Sequence, residues 1–144
     1  MLSLPMNTQA AEKQNLSDKD NLDVIDVWKT IQGEGPFAGL PAVFVRLAGC
    51  NLLCPNCDTN YTLNRLKRSV TEIVQEINRL SEGVIKLVVI TGGEPFRQDI
   101  SELASTLMYC GLGEESYNVQ VETNGTLYLP DFPFGSPRVS IVCS

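Results

Sequence analysis

From Ser69 to Val142, helix-like and strand-like segments alternate, and this rhythm constrains the fold more than any other feature. Lys86 to Ile90 is a short apolar run of the kind that forms a strand buried on both faces. Ahead of it, Ser69 to Leu80 carries an apolar stripe on Val70, Ile73, Val74 and Ile77, and Ser69 with Glu72 makes a capping box at its start. Behind it, Ile100, Leu103, Ala104, Leu107 and Met108 mark a second helix, capped by Asp99 and stopped at Gly111. Asn118 to Glu122 and Arg138 to Val142 read as further strands, and Leu22 to Trp28 and Ala42 to Leu47 as earlier ones. Strand, helix, strand in this order builds parallel sheet. The expected class is therefore α/β with a parallel sheet, with ligands at the C-terminal ends of its strands.

Three loops of unusual composition fall at those ends. Cys50-Asn51-Leu52-Leu53-Cys54-Pro55-Asn56-Cys57 follows Leu47, Thr91-Gly92-Gly93-Glu94-Pro95 follows Ile90, and Thr123-Asn124-Gly125 follows Glu122. The first has the spacing C-x3-C-x2-C. Three thiolates on one loop can hold three corners of a cubane cluster and leave the fourth iron open. A zinc site is the alternative. Zinc prefers four ligands, and with no His in the chain only Cys110 or Cys143 could complete a set. These two lone cysteines read as small buried hydrophobes. The paired glycines let backbone approach a ligand closely, although Gly-Gly alone also makes an ordinary strand-to-helix turn. Glu122 ends a strand on the same face, where a carboxylate can hold ribose hydroxyls; Asn124-Gly125 reads as a structural turn.

Composition removes several function classes. The net charge of −6 repels phosphate backbones, so nucleic acid is not an expected partner. No apolar run reaches the roughly 20 residues of a membrane span, and Met1 to Pro5 is too short for a secretion signal. A cytoplasmic protein without a membrane partner is expected, and five Cys there favour metal chemistry over disulfides. Residues 1–21 are polar and aperiodic and are expected to form a mobile tail; residues 22–144 form the core domain.

The cysteine spacing and the Gly-Gly-Glu-Pro loop resemble the radical S-adenosylmethionine (SAM) superfamily. That resemblance implies a [4Fe–4S] cluster on Cys50, Cys54 and Cys57, with SAM on the open iron. It implies SAM contacts from Gly92, Gly93 and Glu94, through backbone carbonyls, and from Glu122 and Ser144. The reduced cluster would cleave SAM to a radical that abstracts hydrogen from substrate. Gln32-Gly33-Glu34-Gly35, the run from Gly39 to Cys50, and Cys57-Asp58-Thr59 narrow the match. From about Val27 to Ser144 the chain resembles the 7-carboxy-7-deazaguanine synthases. By composition alone Gln32 to Gly35 is a turn and Arg46 a surface charge. The resemblance instead implies that Gln32, Glu34, Arg46 and Thr91 bind 6-carboxy-5,6,7,8-tetrahydropterin, with Arg46 on its carboxylate. Thr59 would ligate Mg²⁺, and Asp58 would stand beside SAM or the metal. The implied reaction is a ring contraction with loss of ammonia, toward queuosine and other deazapurines. Its implied partners are an electron donor such as flavodoxin or ferredoxin and a second copy in a homodimer. A glycyl-radical-enzyme activase would share the cysteine and glycine motifs without needing the Gln32–Gly35 loop or Thr59. A non-catalytic iron–sulfur or zinc-binding module is the reading from another class. Family chains run on past a strand ending in Ser-Pro-Lys, and this sequence stops at Ser144, so the resemblance implies a partial parallel (β/α) barrel of the radical SAM type, open at its C-terminal side.

Overall fold

Ser69 closes a strand and caps a helix. Its hydroxyl accepts from the Glu72 N–H, while the Glu72 carboxylate accepts from the Ser69 N–H at 2.8 Å, which is the capping box the sequence announces. The helix it starts, α1 (Val70–Ser81), buries Val70, Ile73, Val74 and Ile77 along one stripe. The computed structural model describes residues 6–109 and 116–144. Cys110 and the Gly111 helix stop lie outside the described residues.

The strands are β1 (Asn21–Ile31), β2 (Pro41–Leu47), β3 (Leu66–Ser69), β4 (Leu87–Gly92), β5 (Asn118–Thr123) and β6 (Val139–Cys143). They form one sheet in the order β3-β1-β2-β4-β5-β6. β2, β4, β5 and β6 are mutually parallel, whereas β1 pairs antiparallel with both β2 and β3. The sheet is thus mixed: a partial barrel of parallel strands, not closed, with an antiparallel flank. β3, Leu-Lys-Arg-Ser, was not anticipated, since an edge strand of four mostly polar residues has no apolar alternation to betray it. Among the described residues no helix is long and apolar enough to cross a membrane.

The two faces of the sheet differ. One carries the main core, in which Val43, Val45, Val88, Ile90, Val119 and Val121 pack against α1 and α2 (Ser101–Tyr109). The other carries only a small cluster of Ala42, Phe44, Leu87 and Val89, with Trp28 and Phe37 against it. Alternation of side chains along each strand then sends Arg46, Thr91, Gln120 and Glu122 to this second face.

The crossover from β5 to β6 has no helix. Pro130, Pro133 and Pro137 forbid one. Leu129 and Phe132 instead drop from the loop into the main core, where Phe132 meets Phe96 edge-on at 5.2 Å. Residues 6–20 also depart from expectation. They are not a free tail but lie along the domain, with backbone bonds from Asn7 to Pro55, Glu12 to Cys50 and Asn15 to Arg97. Phe132→Ala is expected to cost about 3–5 kcal/mol in urea unfolding, and Phe134→Ala, at a position 40% exposed, much less.

Candidate active site

The three loops converge because their backbones touch. Glu94 N–H donates to the Gly49 carbonyl at 3.0 Å, fastening the glycine loop to the start of the cysteine loop. A Cβ on Gly93 would sit 2.1 Å from the Gly49 carbonyl oxygen and 2.8 Å from Cys50 Cβ; one on Gly92 would sit 2.7 Å from the Leu47 oxygen. Only glycine allows that approach. The Glu94 carboxyl is fully buried and accepts from Phe96 N–H at 2.9 Å, the Thr123 hydroxyl at 2.8 Å and Asn124 N–H at 2.7 Å. It ties the third loop to the second. Asn124 Nδ2 donates to Asn51 Oδ1 at 3.0 Å, which ties the third loop back to the cysteines.

Between the loops lies a cleft of about 210 Å³, lined by Cys50, Cys54, Cys57, Thr59, Thr91, Gly92, Gly93, Glu122 and Ser144, together with Leu52, Thr123 and Asn124. Cys50 is buried, Cys57 half-buried and Cys54 exposed, and all three are free thiols. Burial pushes the Cys50 thiol above its ordinary value, with Glu94 and the other two cysteines adding to the rise. Among the described residues no three His, Cys, Asp or Glu side chains are already gathered at metal-ligand spacing. Three thiols around a cleft, with no fourth Cys lining it among the described residues, suit a cluster with one open iron better than a four-coordinate zinc.

Of the other residues singled out by sequence, Glu94 does not line the cleft. Its N–H, its carbonyl and its carboxyl are all engaged within the protein. It is the brace of the site, and Gly92 and Gly93 are the members of its loop that face the opening. Asp58 is exposed and accepts from the Thr59 hydroxyl at 3.1 Å. Cys143 is exposed rather than buried, its sulfur lying where a Cβ on Gly125 would fall.

Gln32, Glu34 and Arg46 stand beside the cleft on the same face of the sheet. Gln32, 2% exposed, donates through Nε2 to Glu122 at 3.0 Å, while its Oε1 accepts from Gly33 and Glu34 N–H and so shapes the loop. Arg46 is the register partner of Thr91 and lies over the Trp28 ring at 5.0 Å. Its buried Nε has no partner. Two residues escaped the sequence reading. Thr123 is the hydroxyl that Glu94 holds. Gln120 is fully buried with both amide atoms unpaired; the available signal was a Gln at a site-facing position of a buried strand.

Residues 44–132 match the family model of the Radical SAM superfamily. The chain belongs to that superfamily. It is 48% identical over 127 residues to a protein of Rhodospirillum rubrum named 7-carboxy-7-deazaguanine synthase, covering 88% of this chain and 51% of that one. It is 44% identical over 134 residues to the Rickettsia prowazekii protein of the same name, covering 88% and 52%. The crystal structure of QueE from Escherichia coli superposes with a TM-score of 0.69 at 27% identity, over 86% of this chain and 59% of that one. The chain thus spans about half the length of the curated relatives it matches.

Gly93→Ala is expected to separate the glycine and cysteine loops and abolish iron uptake, read as the iron-to-protein ratio after anaerobic reconstitution. A second prediction concerns charge. The Glu122 carboxylate beside Glu34 pushes the Glu34 carboxyl above its ordinary value, with a hydrogen bond between the two and burial adding to the rise. The folded state then binds that proton more tightly than the unfolded chain. The contribution is favourable at low pH and is lost as pH rises through the raised value. Glu34→Gln should therefore raise the melting temperature at neutral pH and leave it unchanged at about pH 3 and below, more than one unit under the ordinary Glu value of about 4.3, where both states are protonated.

Proposed function

We propose that this chain carries the catalytic core of a 7-carboxy-7-deazaguanine synthase, which converts 6-carboxy-5,6,7,8-tetrahydropterin to 7-carboxy-7-deazaguanine with loss of ammonia. The observation that carries the reading is the cleft itself. Three free thiols and a glycine pair meet there, beside a face bearing an arginine whose buried Nε lacks a partner. Relatives of that name support it.

Cys50, Cys54 and Cys57 would hold a [4Fe–4S] cluster, and Gly92, Gly93, Glu122 and Ser144 would line the SAM site. When bound, the cluster and SAM supply a carbon radical able to remove hydrogen from an unactivated position. The chain's own residues do the rest. Arg46 offers an unsatisfied donor to a substrate carboxylate, in the charge-assisted geometry that guanidinium favours. Trp28 beneath it helps hold the guanidinium in place. Thr91, next to Arg46 in the sheet, would give a hydroxyl to the same ligand, and the Gln32–Glu34 loop would contact the ring. Thr59, with Asp58 beside it, would face Mg²⁺ with oxygen ligands, as that hard cation requires. An electron donor such as flavodoxin or ferredoxin, and a homodimer in the cytoplasm, complete the proposal. The glycyl-radical activase reading gives no role to a Gln32 that is buried and bonded to Glu122.

Anaerobic reconstitution tests the reading. The protein should take up about four iron atoms, Cys54→Ala should lose them and Cys143→Ala should keep them. By calorimetry the loaded protein should bind 6-carboxy-5,6,7,8-tetrahydropterin, and Arg46→Ala should weaken that binding by about tenfold or more, the loss of one charge-assisted contact. Stoichiometric zinc, or pterin affinity indifferent to Arg46, contradicts it.

A further inference from the structure

The cysteine loop has no strand or helix of its own between Gly49 and Leu63, so its carbonyls need partners from elsewhere. Several of those partners come from residues 7–12. Glu12 N–H donates to the Cys50 carbonyl at 2.8 Å, and Asn7 N–H to the Pro55 carbonyl at 2.9 Å. Asn7 Nδ2 donates to the Cys54 carbonyl at 3.1 Å, and Gln9 Nε2 to the Thr59 carbonyl at 2.9 Å. Gln9 Oε1 accepts from Tyr61 N–H at 2.7 Å, fixing the exit of the loop. Two of these carbonyls belong to cysteines of the cleft.

The segment is itself anchored by charge. The Glu12 carboxylate pairs with Arg65 and lies 3.4 Å from Arg97, whose guanidinium is 7% exposed. Arg97 NH2 donates to the Ala48 carbonyl at 3.1 Å, and its Nε lies where a Cβ on Gly49 would fall. Glu12 thus grips, through Arg97, the residues that lead into Cys50. Its hydrogen bond from Arg65 lowers the Glu12 pKa against the opposing effect of burial, and Arg97 lowers it further.

We propose that residues 7–12 are a strap that positions the cluster ligands, with Asn7 and Gln9 as its positioning side chains and Glu12 as its anchor. The inference rests on the cluster reading above and extends it to a segment outside the radical SAM match at residues 44–132. Loop and strap stabilise each other. Ordering the strap gives the cysteine backbone one conformation, and a cluster that fixes the loop must fix the strap in return.

The test uses the whole chain carrying Asn7→Asp and Gln9→Glu together. Both changes keep the acceptors, to Gln9 N–H and Tyr61 N–H, and remove the amide donors, which reach the Cys54 carbonyl and the Tyr61 hydroxyl from Asn7 and the Thr59 carbonyl and Asn7 Oδ1 from Gln9. Thr8→Asp, an exposed position in the same segment, controls for added negative charge. Each protein is loaded anaerobically, and iron release to a chelator is timed. The double variant should release iron about tenfold faster than the parent, the factor expected from losing the two hydrogen bonds to the loop carbonyls of Cys54 and Thr59, and Thr8→Asp should match the parent. Amide exchange at Asn7 and Glu12 should slow when the parent is loaded. Equal release from parent and double variant, or equal acceleration by Thr8→Asp, overturns the strap. A parent that takes up no iron overturns the cluster reading, and the strap with it.

Discussion

The site depends on one buried carboxyl. Glu94 stands after the strand β4, has no exposed surface, and gathers donors from its own turn and from the end of β5. Neighbouring parallel strands run side by side, but nothing in a strand ladder dictates how the loops beyond them are arranged. Glu94 fixes that arrangement, and its N–H does the same toward Gly49. Removing the carboxyl would leave the Thr123 hydroxyl and the Asn124 N–H unpaired next to a packed core, at about 1–3 kcal/mol for each group. The logic is geometric: an acidic side chain, a glycine pair that lets two backbones touch, and a turn with its hydroxyl aimed back at the carboxyl.

The two faces of the sheet divide stability from chemistry. The helix-covered face is apolar from β1 to β6 and carries the folding energy. The opposite face holds polar side chains in poor company: Arg46 Nε and both Gln120 amide atoms are buried without partners. Buried donors left unpaired cost free energy, a cost that a bound polar ligand relieves. That is a physical reason, independent of any relative, to place a polar substrate against this face.

Much of this was legible in the sequence, and the boundary of legibility is physical. The capping box at Ser69 and Glu72 and the stripe of α1 depend only on neighbours in the chain. That the three loops share one edge of the sheet follows from strand direction, because parallel strands bring their C-terminal ends together. What stayed hidden depends on long-range partners. Glu94 could be placed in a glycine loop, but not the direction of its side chain, which is set by Thr123, 29 residues later. Asn7, Gln9 and Glu12 look like a solvated tail, since polar residues that bond distant carbonyls have the same composition as residues that bond water. β3 and the antiparallel flank went unseen because an edge strand can be short and polar.

The central claim is that three thiols of this chain hold a cluster with one open iron, to which SAM binds directly. Electron paramagnetic resonance of the reconstituted, dithionite-reduced protein tests it most directly. The account predicts the signal of a reduced [4Fe–4S] cluster whose g values shift when SAM is added, and no such signal from Cys54→Ala. A reduced cluster indifferent to SAM would contradict it.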